Sequence, residues 1–168
     1  MRKQKLFSII GELTVQFATL EHRLQRLLKI LMRKDNVLIG PLFIHELSLA
    51  TLLRKIRIVA LCRIQEHEQL LKKLERVIKR INTTRAERNL LMHGDWQIED
   101  THSFPIKVRD FKIKYEKGTW HEFTETKLTE KKLTQLLRRL KGLVQEVEYL
   151  VRIFSDMQIA PDAVNQTA

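Results

Sequence analysis

Residues 85–96 read RAERNLLMHGDW. Apolar residues step by three and four before this stretch and alternate after it, so the fold turns here from helix to strand. Upstream, Leu70, Leu74, Val77 and Ile81 form the seam of a helix over about 67–93. The same stepping then reaches Thr84, Arg88 and Leu91, and Gly94 stands where a C′ glycine stops a helix. Downstream, Phe111, Ile113 and Tyr115 alternate with Lys112, Lys114 and Glu116. Lys117-Gly118 can turn, and Trp120 and Phe123 follow. The pattern predicts a small antiparallel hairpin within an insert of about 97–128, with a third strand near 106–109.

Further out, the periodicity is helical again. Leu6, Ile10, Leu13, Phe17, Leu20, Leu24, Leu27 and Leu31 predict a first helix over about 4–33. At 1.5 Å per residue it is about 40 Å long. Gly40-Pro41 marks the connection, and Leu49, Leu52, Leu53, Ile56, Val59 and Ala60 predict a second helix over about 46–64. Thr129 is an N-cap candidate with Glu130 in the first turn. The last helix, about 130–156, carries Leu133, Leu137, Leu140, Val144, Val147, Val151 and Phe154. The expected fold is mainly α, an antiparallel bundle of about four helices with a small β-hairpin insert between the third and fourth. It forms one domain over 1–157, and 158–168 is expected to be a flexible tail.

Composition agrees with one helical domain: 168 residues, 43% hydrophobic, with only 5 Gly and 3 Pro. Lys plus Arg is 31 against 20 Asp plus Glu, a net charge of +11. That excess suits a phosphate-rich partner, because bound cations release counterions from nucleic acid. It equally suits a solvated basic surface and says nothing of catalysis. Cys62 is the only cysteine, so no internal disulfide can form, in keeping with a reducing compartment. Its apolar surroundings, IVALCRI, suggest a small core residue. Glu12 interrupts the apolar run of the basic N-terminal stretch, and no run approaches the roughly 20 residues of a membrane span. A soluble, cytoplasmic protein with no membrane partner is expected.

Arg88 lies on the apolar seam, where a charge is costly without a partner or a route to water. Arg85 precedes it by one turn, and Asn89 and His93, four apart, share a face. Arg88 and His93 are five apart, which is roughly 140° around a regular helix. They converge only if the helix unwinds, the arginine reaches around, or a second copy contributes. A purely structural reading is also available. His93 before Gly94 suits a helix C-terminus, and Arg88 can snorkel or pair with Glu21 or Glu87.

RNLLMH at 88–93 resembles the signature of the HEPN superfamily (higher eukaryotes and prokaryotes nucleotide-binding). That signature is Arg, four to six residues, then His, usually with a polar residue directly after the Arg. Arg88, Asn89 and His93 fit it with a four-residue gap, late in an interior helix of a bundle. The resemblance covers 4–156 as architecture and 88–94 as motif. It implies one of two kinds of protein. Some members are metal-independent ribonucleases, often toxins or antiviral effectors, that act as dimers with facing motifs. Others bind nucleotides, nucleic acid or protein without catalysis. In the nuclease reading, the 2′-OH of RNA is the nucleophile. His93 exchanges protons as general acid/base, as an imidazole can near neutrality, and Arg88 steadies charge on the phosphoryl oxygens. Asn89 orients the histidine or the phosphate, and no cofactor or metal is needed.

Other chemistries lack support. His22, His45, His67, His102 and His121 are scattered, with no HExxH, Walker A, GxGxxG or GxSxG pattern. Lys72, Lys73, Arg76, Lys79, Arg80 and Arg85 make the third helix basic, either as solvation or as a phosphate track toward Arg88. Trp96, Tyr115 and Trp120 are candidates for stacking on bases or for packing on the bundle. Glu21 is a candidate anchor for the motif arginine. The long seams of the first and fourth helices suggest spare apolar surface, and with the Arg88–His93 divergence they predict a homodimer with a composite site. The expected partners are RNA, a second copy, and an antitoxin or regulatory protein.

Overall fold

The structure is a computed structural model that describes residues 3–32, 44, 46–97, 106–116 and 119–157, with backbone alone at 3, 111–116 and 119–124. Gly40-Pro41, Lys117-Gly118 and the 158–168 tail lie outside the described residues, as do the side chains of Tyr115 and Trp120. The chain is mainly α. Among the described residues, the order is α1 (Lys3–Met32), α2 (Leu49–Arg63), α3 (Glu68–His93), β1 (Asp95–Gln97), β2 (Ile106–Glu116), β3 (Thr119–Leu128) and α4 (Glu130–Asp156).

The helix ends follow local chemistry. Ser48 caps α2 by accepting from the Thr51 N–H, and the Thr129 hydroxyl accepts from the Lys132 N–H at 3.2 Å as α4 begins. Ile64 closes α2 through its N–H to the Ala60 carbonyl. The sheet has the antiparallel order β1-β2-β3. Glu116 pairs with Thr119, and a bulge between Phe111 and Lys114 shifts the register of β2 against β3. The third strand is not near 106–109, which belongs to the long β2. It is Asp95–Gln97, which pairs with Lys107–Arg109 as soon as α3 ends. Three residues are too few for alternation to announce a strand; pairing with a distant segment defines it.

The chain divides into two compact units, residues 1–20 with 79–143 and residues 21–78 with 144–168. In the first unit, Leu13, Leu20, Ile81, Val108, Leu133 and Leu140 are almost wholly buried. Thr84 is buried with them, and its hydroxyl is satisfied by donating to the Arg80 carbonyl at 3.0 Å. Lys5 pairs with Glu130 and Glu12 with Lys141, so α1 and α4 run in the same direction here. In the second unit, Leu27, Leu53, Ile56, Leu74, Val147 and Phe154 form the core. Arg23 reaches the Val144 carbonyl and Glu148, both at 3.2 Å, and Arg57 meets Glu75 across the α2–α3 hairpin.

The α4 seam is spent within one chain. Leu133, Leu137, Leu140, Val144, Val147, Val151 and Phe154 are all buried, and so are Leu136, Leu143 and Leu150 beside them. The expectation of spare apolar surface therefore fails for α4, whose buried face is wider than an a/d stripe. It fails for the α1 seam as well, where Leu6, Leu13, Phe17, Leu20, Leu24, Leu27 and Leu31 are buried; Phe7 and Val15, off that seam, are exposed.

Candidate functional site

Helix α3 stays regular to its end. His93 is its last residue, and the Gly94 N–H donates to the Leu90 carbonyl at 2.9 Å in the continuing α pattern. Unwinding therefore does not bring Arg88 and His93 together. Gly94 adopts no left-handed backbone; its requirement is closeness. A Cβ there would lie 2.4 Å from both the Leu90 carbonyl oxygen and Val108 Cγ1. β2 crosses against the end of α3 where a side chain would stand. Trp96 completes the junction by donating its indole N–H to the Leu91 carbonyl at 3.1 Å. Half-buried and so engaged, Trp96 ties β1 to the helix end.

The motif residues sit at graded depths on this scaffold. Arg88 points with the core stripe of Ile81, Thr84 and Leu91; it is half-buried and its Nε is out of water. Asn89 is exposed and accepts from Arg88 Nη1 at 3.4 Å, so it attends the arginine. His93 is exposed, and Arg85 is half-buried. Glu87 does not pair with Arg88. Both its carboxylate oxygens accept from Arg139 Nη2 of α4, at 2.7 and 2.8 Å. This pair, separated by 52 residues in sequence, left no trace in the helical pattern. It takes up the carboxylate adjacent to Arg88 in sequence. Glu21, the other candidate anchor, is half-buried.

The basic residues of α3 separate by role. Lys73 is half-buried, with Nζ 3.7 Å from the centroid of the Tyr149 ring. Lys72 pairs with Glu68 one turn before it, and Arg76 Nε returns to the Lys72 carbonyl. Lys72, Arg76, Lys79 and Arg80 are exposed. On a regular helix, 72, 76, 79, 83, 86, 90 and 93 step by four and three and form one stripe. The basic stripe therefore leads to His93. Arg88 lies roughly 120–180° around the helix from Lys72, Arg76 and Lys79, whereas Lys73, Arg80 and Arg85 lie within roughly 60–80° of it, so the expected basic track divides between the side of His93 and the side of Arg88.

Cys62 is exposed, contrary to its expected place in a core. Its neighbours in sequence are apolar, but it lies on the outer side of α2, opposite Ile56 and Ala60. Among the described residues, no group of three or more His, Cys, Asp and Glu is placed to hold a metal ion, and no helix is long and apolar enough to cross a membrane. No protein-family model matches the chain, and neither does any curated protein or solved structure.

Proposed function

We propose that the chain is a HEPN-like RNA-binding protein that acts as a metal-independent endoribonuclease of toxin or defence type. The observation that carries the reading is the end of α3. An exposed His93 terminates a stripe that begins with Lys72, Arg76 and Lys79, while Arg88 and Asn89 stand hydrogen-bonded one turn before it. In this reading the RNA phosphates follow the basic stripe, and the 2′-oxygen attacks the adjacent phosphorus. The 2′-O–P bond forms, the bond from phosphorus to the 5′-oxygen breaks, and the products are a 2′,3′-cyclic phosphate and a 5′-hydroxyl. His93 handles the proton, removed from the 2′-OH or delivered to the leaving oxygen. Arg88 balances charge on the non-bridging oxygens, and Asn89 holds the guanidinium in orientation.

The test is cleavage of single-stranded RNA in the presence of EDTA. The wild-type chain is expected to release cyclic-phosphate ends, and an Arg88→Ala, His93→Ala double variant to lose at least about a hundred-fold in rate. Equal rates, or complete dependence on added metal, would sink the nuclease reading.

A second reading, a non-catalytic nucleic-acid-binding module, is favoured by one observation: Arg88 and His93 diverge on a helix that remains regular. Both readings require the basic stripe. Reversing Lys72, Arg76 and Lys79 to Glu is expected to weaken RNA binding about a hundred-fold at low salt and to flatten its salt dependence. All three side chains are exposed, so the fold should persist, with the melt lowered only by the loss of the Glu68–Lys72 pair and the like charges put in its place. Unchanged affinity at low salt would remove α3 from the contact surface and with it the common basis of both readings.

A further inference from the structure

Helix α2 carries charge of one sign. Its sequence, LATLLRKIRIVALCR, holds Arg54, Lys55, Arg57 and Arg63 and no acidic residue. Leu52, Leu53, Ile56 and Ala60 are buried, which leaves the opposite side of the helix outward. That side also exposes bulky apolar groups: Ile58 is 53% and Leu61 46% exposed, with Cys62 exposed beside them. Arg54, Ile58 and Leu61 fall at i, i+4 and i+7, so cation and aliphatic groups share one stripe, with Lys55 at its edge.

We propose that this outward face of α2 docks an acidic, amphipathic helical segment of a partner protein. A phosphodiester backbone answers Arg54 and Lys55 but gains nothing from Ile58 and Leu61. A bilayer surface rewards a continuous apolar strip, and here the N-terminal half of the face is Thr51, Arg54 and Lys55. A helix that alternates carboxylates with leucines satisfies both halves: its Glu or Asp side chains meet the cations and its leucines cover Ile58 and Leu61. The same helix already shows the electrostatic half of this recognition. Arg57 Nε donates to the Glu75 carboxylate of the neighbouring α3 at 2.5 Å. The docking face is independent of the RNA reading, since neither Arg88 nor His93 lies on α2.

The probe is a fluorescein-labelled 18-residue peptide of Leu, Glu and Ala with its leucines at helical i, i+4, i+7 spacing, read by anisotropy. The wild-type chain is expected to bind it saturably. Ile58→Ser with Leu61→Ser, and separately Arg54→Glu with Lys55→Glu, should each weaken binding about ten-fold or more, as should scrambling the peptide. Circular dichroism melts are expected to coincide, because all four side chains are exposed. The proposal is overturned if the wild-type chain does not bind the peptide, or if the Ile58/Leu61 variant binds it as well as wild type. It is also overturned if the α2 variants lose binding to phosphatidylglycerol vesicles or to single-stranded RNA while keeping the peptide.

Discussion

Mixing an Arg88→Ala chain with a His93→Ala chain is expected to restore about a quarter of the wild-type RNA cleavage, although each variant alone is inactive. Random exchange makes about half the dimers mixed, and in each mixed dimer one of two composite sites keeps both residues. The expectation comes from geometry. Arg88 follows the core stripe of α3, His93 lies roughly 140° around from it, and α3 is regular to its last residue. A guanidinium and an imidazole so placed serve one phosphate most simply when they come from two chains. Spare apolar surface on α4 no longer argues for the dimer, because that seam is buried within one chain. Phe7 and Val15 on α1 remain as exposed apolar groups. The measurement is initial rate in EDTA after the two variants are mixed and allowed to exchange. A mixture as dead as its parents, or a chain that sediments as a monomer at micromolar concentration, would eliminate the composite site.

Alanine at Gly94 is expected to cost about 3 kcal/mol, the upper end for overpacking a buried contact. At this chain length that corresponds to a fall of about 10 °C in melting temperature. The added methyl would overlap the Leu90 carbonyl and Val108 Cγ1, both at 2.4 Å, and Val108 is wholly buried and has no room to withdraw. The same change at Gly11 or Gly142 should have the opposite sign. Both are inside helices with nothing within 4 Å of the new methyl, and alanine there should stabilise by about 0.5–1 kcal/mol. Thermal denaturation of the three single variants checks this directly. Equal shifts at all three positions would show that helix propensity, and not the β2 crossing, governs Gly94. Because Gly94 follows His93, its alanine variant should also lose RNA cleavage below its melting temperature.

The helices and their ends were legible in the sequence because helical order is local. A seam repeating every three or four residues, Thr129 ahead of Glu130, and Gly94 after His93 announce elements whose hydrogen bonds span four residues. The charge of α3 was legible for the same reason. Its direction follows from the same spacing: counting around the regular helix puts Lys72, Arg76 and Lys79 toward His93, and Lys73, Arg80 and Arg85 toward Arg88. Gly94 was identified as the helix stop, but its need for a missing side chain comes from Leu90 and from Val108 of β2 pressing on it. β1, the pairing of Glu87 with Arg139, the hydrogen bond of Trp96 to Leu91 and the exposure of Cys62 belong to the tertiary structure. The first two join groups well apart in the chain, and the last two depend on how the chain folds back at the end of α3 and on which face of α2 packs inward. Local periodicity carries no term for either. The sequence by itself therefore determined the elements, their limits and the residue types at the end of α3, and the tertiary structure decided which of those residues face water, which face the core and which partner holds each one.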